Sequence, residues 1–143
     1  MIKLYTLGFT KIGAETFFDR LTKAGVETLV DIRLNNVSQL AGFAKRDDLA
    51  YFCRQHGINY RHMPDLAPTK DILDNYKKNK GSWEDYVSAF QKLMEERQIE
   101  KQDAADMHKA CLLCSEHTPH NCHRRLVAEY WQQHWPDLQV EHL

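Results

Sequence analysis

The densest set of reactive side chains lies between Lys109 and Arg125, which reads K-A-C-L-L-C-S-E-H-T-P-H-N-C-H-R-R. From Cys114 onward it holds the thiols of Cys114 and Cys122, the Glu116 carboxylate, three imidazoles and two guanidiniums. Thiolates serve as nucleophiles or metal ligands, carboxylates and imidazoles move protons, and guanidiniums grip phosphates and carboxylates. The run Ala110 to Cys114 reads as a strand buried on both faces of a parallel sheet. Thr118 suits an N-cap and Pro119 the first helical position, so a helix start follows. Cys122, His123 and Arg124 then fall in the first turn or two of that helix. A helix start carries unpaired N–H groups and the positive end of the dipole, which favour phosphates and thiolates. Cys114 and Glu116 sit at the strand's carboxyl end, where open α/β sheets bind their ligands.

Three chemistries are compatible with these groups. In an enzyme for a phosphorylated or nucleotide-like substrate, Arg33 and Arg124 clamp the anion. Asp31 or Glu116 is then the general acid or base, and Cys114 the nucleophile. The interval from Cys114 to Arg124 is longer than a phosphatase C-x(5)-R loop. In a metal protein, Cys114, Cys122 and His123 are zinc-type ligands, with Glu116 or His120 as a fourth. Cys111 and Cys114 form a nominal C-x-x-C, but along a strand they point to opposite faces and do not chelate together. Apart from zinc in that alternative, the sequence calls for no cofactor. In a non-catalytic module, Arg33, Arg124 and Arg125 recognise a nucleotide or a nucleic-acid end.

The rest of the chain supplies the elements that position these groups. Ile2 to Leu7 reads as a first strand ending at Gly8. Gly8 to Gly13 has G-x-x-x-x-G spacing, but Ala14-Glu15 stand where a P-loop needs lysine and a hydroxyl. Gly8 and Thr10 therefore mark either a backbone-donor loop beside a ligand or a plain turn. Ala14, Phe17, Phe18 and Leu21 recur at helical spacing, and Gly25 closes that helix. Glu27 to Arg33 is a second strand, apolar until Asp31 and Arg33. These two either neutralise each other, or Arg33 binds an anion that Asp31 serves as base or orienting group. The polar loop from Leu34 to Arg46 has the length of a binding loop.

Asp47 and Asp48 open a second helix, with Cys53 on its apolar face and Gly57 after its end. Ile58 to Met63 is a third strand, delivering His62 toward Asp65 and Thr69, where it faces a ligand or is held structurally. Thr69 starts a short helix whose Lys77, Lys78 and Lys80 read as a solvated face. Ser82 caps the next helix, whose Trp83, Tyr86, Val87, Phe90 and Met94 read as a core stripe. Gln98 to His108 is a polar connection. Leu126, Val127, Tyr130, Trp131 and Trp135 face inward from the last helix, and Leu138 to Leu143 is a last strand. This alternation predicts one α/β domain over residues 1–143: a three-layer, Rossmann-like open sheet of about five mostly parallel strands, with helices on both faces. Four strand ends then converge: Gly8 to Thr10, Asp31 with Arg33, His62 with Asp65, and Cys114 with Glu116.

Composition narrows the partners. A hydrophobic fraction of 43% and a charged fraction of 27% are ordinary for a globular chain. A net charge of −1 argues against indiscriminate nucleic-acid binding, so anion binding rests on local positive charge. The expected partner is a phosphorylated small molecule or a nucleic acid, and no membrane. No stretch is apolar enough to span a bilayer, and no leader pattern opens the chain, so its four cysteines are expected as reduced thiols in the cytoplasm.

The opening T-L-G-F-T, the D-I-R strand, N-x-S-Q-L-A-G-F, L-A-P-T-K and the run L-L-C-S-E-x(5)-C-H-R-R-L together resemble the domain-of-unknown-function 488 family. The resemblance runs from Tyr5 to Leu143, with C-x-E-x(5)-C-H-R as its most specific part. Many relatives carry histidine, serine and arginine where this chain has Phe9, Thr10 and Gln39. The resemblance implies a small cytoplasmic α/β protein with a suggested connection to nucleic-acid metabolism and no established reaction.

Overall fold

A computed structural model describes residues 1–37, 42–115 and 122–143. Five strands, β1 (Ile2–Gly8), β2 (Thr28–Asp31), β3 (Asn59–His62), β4 (Ala110–Cys114) and β5 (Leu138–His142), form a single sheet in the order β3-β2-β4-β1-β5. All four pairings are parallel, so the sheet is wholly rather than mostly parallel. Register aligns Gly8 with Cys114, Asp31 with Leu113 and Asp31 with His62. The strand ends expected to meet therefore lie along one edge.

The helices are α1 (Ala14–Ala24), α2 (Arg46–Gln55), α3 (Lys70–Lys77), α4 (Trp83–Arg97) and α5 (His123–His134). Strand alternation divides the core in two. Tyr5, Leu7, Leu29, Cys111 and Leu113 pack with Phe17, Phe18 and Leu21 of α1 and Leu49 and Cys53 of α2. Leu4, Val30, Ala110 and Leu112 face the other way, onto Tyr86, Phe90 and Met94 of α4 and Val127 and Trp131 of α5. Helices thus cover both faces, as a buried parallel sheet requires. Cys114, two residues beyond Leu112, belongs to the α4–α5 side, whereas Cys111 belongs to the α1–α2 side.

Local signals set the helix ends. Gly25 takes the left-handed conformation (φ 80°) that closes α1. Thr69 and Ser82 cap α3 and α4, accepting hydrogen bonds from the N–H groups of Ile72 and Asp85. The link between those helices needs its glycine. The Gly81 N–H donates to the Asn75 carbonyl at 2.8 Å, and a Cβ there would stand 2.8 Å from the same oxygen. The connection from Gln98 to His108 is more structured than its polarity suggests. It forms short 3-10 turns over Ile99–Lys101 and Ala104–Met107 and buries Ile99 and Met107. The Trp131 and Trp135 indoles donate to the carbonyls of Ile99 and Glu100. Among the described residues, no helix is long and apolar enough to cross a membrane.

Candidate functional site

The end of β2 holds Asp31, fully buried, and just beyond it Arg33, 4% exposed. The Arg33 Nε and Nη2 donate to the two Asp31 carboxylate oxygens at 2.8 and 2.7 Å, and the Arg33 backbone N–H adds a third bond. Tyr60 on β3 donates its hydroxyl to Asp31 at 2.5 Å, with the Asn36 amide at 3.4 Å. Burial, together with this hydrogen bond to a carboxylate, pushes the Tyr60 phenol well above its ordinary range. The accepting positions of Asp31 are thus occupied from several sides, which suits a carboxylate that orients its partner. Arg33 Nη2 also reaches the Ala44 carbonyl, and the guanidinium lies over the Phe9 ring at 5.1 Å. Its third nitrogen, Nη1, is buried without a hydrogen-bond partner among the described residues.

Beside this pair opens a cavity of about 390 Å³, between the carboxyl ends of β2 and β4 and the helices α3 and α4. Arg33, Leu34 and Asn35 line it from β2, and Cys114 and Ser115 from β4. Cys122 and His123 contribute from the start of α5. The opposite wall holds Lys70, Leu73, Tyr76 and Lys77 of α3 and Trp83 and Tyr86 of α4. Trp83 stacks on Tyr86 at 4.8 Å and meets Tyr76 at 5.5 Å, giving a continuous aromatic surface.

At the floor, Cys122 occupies the N-cap of α5 without a side-chain capping bond. His123 donates its Nε2 hydrogen to the Ile32 carbonyl at 2.7 Å, which leaves Nδ1 as the nitrogen with the lone pair. Burial, offset in part by that carbonyl, lowers the His123 pKa to about 4, so the ring is neutral at pH 7. Arg124 donates from Nη1 to the Cys114 sulfur at 3.0 Å. The expectation of four separate reduced thiols needs correction here. Cys53 and Cys111 are free and buried, but the Cys114 and Cys122 sulfurs lie in contact, at the range of a disulfide. The start of α5 lies against the end of β4, which spacing along the chain does not reveal. Their Cα atoms are 7.7 Å apart, wider than the roughly 4.4–6.8 Å that disulfides span.

The structure gathers Arg33, Cys114, Cys122 and His123 at one cavity. Arg124 stands behind Cys114, and Asp31 behind Arg33. Gly8 is buried beside Cys114, and Thr10 bonds through both its N–H and its hydroxyl to the Ser115 carbonyl. His62 donates from Nε2 to the Arg33 carbonyl at 2.8 Å, which shapes the loop after β2. These three lie outside the cavity wall. Glu116, His120, Thr118, Pro119 and Gln39 lie outside the described residues. The sequence reading missed Lys70, Lys77, Tyr76 and the cavity role of Trp83. Ile72, Leu73 and Tyr76 of α3 are only partly buried against the core, and Leu73 and Tyr76 also line the cavity.

Fold and site together define a class: a doubly wound α/β protein with a thiol- and imidazole-bearing cavity at the carboxyl edge of its sheet. The chain belongs to the family described as domain of unknown function DUF488, whose model matches residues 13–131. No curated protein and no solved structure matches it.

Proposed function

We propose that the protein is an enzyme acting on a phosphorylated, nucleotide-like substrate held in the cavity between β2, β4, α3 and α4. The observation that carries this reading is the lining itself, which sets the cations Arg33, Lys70 and Lys77 beside the aromatic wall of Tyr76, Trp83 and Tyr86. Phosphate suits Arg33, whose fork is fixed by Asp31 while Nη1 has no hydrogen-bond partner among the described residues. A planar base suits the exposed part of the aromatic surface, since stacking tolerates any base. A volume of about 390 Å³ is within the range of small-ligand sites. The reacting end of the substrate meets Cys114 and His123, and Glu116 is assigned as the acid–base carboxylate. Arg124 stabilises negative charge on Cys114. Asp31 acts through Arg33 as its positioning partner. Thiol chemistry of this kind requires a reducing setting, which the cytoplasm provides.

The test is equilibrium binding of a panel of nucleotides and phosphate esters, read by tryptophan fluorescence and followed by product analysis. Nucleotide binding should weaken by roughly 1–3 kcal/mol in Trp83→Ala. It should also weaken in Lys70→Glu/Lys77→Glu and grow steeper in its salt dependence in the wild type than in that variant. If no member of the panel binds, or all variants bind like the wild type, the reading fails. Binding without turnover of any ligand would reduce the protein to a recognition module.

A further inference from the structure

We infer that Cys114, Cys122 and His123 form a metal site of the Cys₂His type that takes zinc, with its remaining coordination position open to the cavity. Among the described residues, these three alone gather as potential ligands, with their donor atoms all within 4.8 Å of one another. A tetrahedral zinc ion with Zn–S bonds of about 2.3 Å needs its donors roughly 3.5–4 Å apart, so the two sulfurs, in contact here, must separate to admit it. Two thiolates and an imidazole are also a donor set that favours zinc over magnesium or calcium.

Two further features separate a shared ion from a simple sulfur–sulfur bond. The first is backbone span. The Cys114 and Cys122 Cα atoms are 7.7 Å apart, beyond the roughly 4.4–6.8 Å of disulfides, yet both side chains point at one place. An ion between them needs the sulfurs only to open apart, which that separation allows. The second is the histidine. The Nε2–H of His123 is committed to the Ile32 carbonyl at 2.7 Å, so Nδ1 presents the lone pair. A metal-bound histidine characteristically donates its other ring N–H to a carbonyl or carboxylate, which fixes its tautomer and orientation. The Arg124 guanidinium at 3.0 Å from the Cys114 sulfur is a hydrogen-bond donor of the kind that supports a ligating thiolate.

Among the described residues no fourth ligand joins them, and because Cys114, Cys122 and His123 all line the same cavity, the remaining position faces it. Binding the ion releases the two thiol protons and changes no oxidation state. Two thiolates balance the charge of the divalent ion, and Arg124 adds a positive charge beside it. The open position therefore suits an anionic oxygen or a water. The inference deepens the proposed function only in that last respect, by putting a Lewis acid at the reacting end of the substrate. The metal site itself stands without it.

The experiment uses the untagged full chain, reduced with a phosphine, incubated with zinc, freed of excess metal and analysed for metal content. About one equivalent of zinc per chain is expected. It should be lost in Cys122→Ser and His123→Gln and kept in Cys53→Ala. Cobalt loading should give thiolate-to-metal charge-transfer absorption and tetrahedral d–d bands in the wild type, and neither in Cys122→Ser. Because Cys114→Ser alters a fully buried strand end, circular dichroism accompanies each variant, and the cobalt spectrum decides where folding is intact. Failure to take up zinc or cobalt after reduction overturns the inference, as does full retention in folded Cys122→Ser. Loss of metal in Glu116→Gln or His120→Gln would fill the fourth position from the protein and overturn the open site. Nucleotide binding is measured separately, with and without metal. A metal-loaded protein that binds no nucleotide sinks the proposed function and leaves the metal site intact.

Discussion

The ends of β2 and β4 are neighbours in the sheet, but they handle polar groups in opposite ways. At β2, Asp31 is fully buried and receives donors from Arg33, Tyr60 and Asn36. At β4 and the start of α5, two sulfurs and a ring nitrogen converge, with Arg124 donating to the Cys114 sulfur and a cavity in front of them. Buried charge that is completely partnered is architecture, because any single removal leaves an orphan in low dielectric. Soft donors that converge beside a cavity can hold an ion or, where they are two sulfurs, bond to each other. The two regions meet at Arg33. It is held by the first region, lines the cavity, and keeps a buried nitrogen without a hydrogen-bond partner among the described residues.

The largest expected effect breaks the first half of that contrast. Asp31→Ala leaves the Arg33 guanidinium buried without its counter-charge and should cost about 3–5 kcal/mol in urea unfolding. A loss below about 1 kcal/mol would show that Asp31 is not a structural hub. Tyr60→Phe is the smaller version. It removes one hydrogen bond to a buried carboxylate and should cost roughly 1–2 kcal/mol. It also carries a pH signature. The Tyr60 phenol is raised in the folded state above its ordinary value of 10.0 by burial and by Asp31. A raised folded pKa gives stability that is complete below about pH 10 and lost as pH rises toward the folded value. Tyr60→Phe should therefore flatten the alkaline decline in stability that begins near pH 10. An unchanged decline would assign it to other groups.

The division between architecture and site was only partly legible in the sequence. Strand and helix order could be read because periodicity, Gly25, Thr69 and Ser82 are local signals that the tertiary structure did not override. The crossover of β1 to the inside of the sheet, between β4 and β5, was not legible, since nothing local sets strand order. At the site, the reactive residues were visible by type, and their gathering followed from strand ends sharing an edge. What spacing could not give was which groups satisfy one another. Asp31 and Arg33 read as fit either for mutual neutralisation or for chemistry, and only the arrival of Tyr60 from β3 shows how completely the carboxylate is used. The α4 aromatics pack in the core as expected, but the cavity role of Trp83, Tyr86 and the α3 lysines was not legible, for a related reason. An amphipathic face looks the same in sequence whether it covers a core or a cavity.

The smallest effect, in energy, sharpens the other half of the contrast and needs no loss of stability. Cys111 and Cys114 are three residues apart on one strand, yet they face opposite sides of the sheet. Cys111 packs with Cys53 in the layer of α1 and α2, and burial pushes both thiols up, Cys53 to about 12 with the Asp31 charge adding to it. A thiol held so far above neutral pH has almost no thiolate to react. Cys114 and Cys122 instead line the cavity, with a guanidinium on the Cys114 sulfur. Reduced protein kept in chelator should therefore show two populations toward a small alkylating reagent at pH 7. Cys114 and Cys122 should label in the folded state, while Cys53 and Cys111 should label only as fast as the chain unfolds. Peptide mapping after brief alkylation distinguishes the positions. Adding zinc before the reagent should slow the first population and leave the second where it was. Equal labelling of Cys111 and Cys114 would mean that the face of the sheet does not decide thiol reactivity, and the contrast between the two strand ends would lose its chemical half.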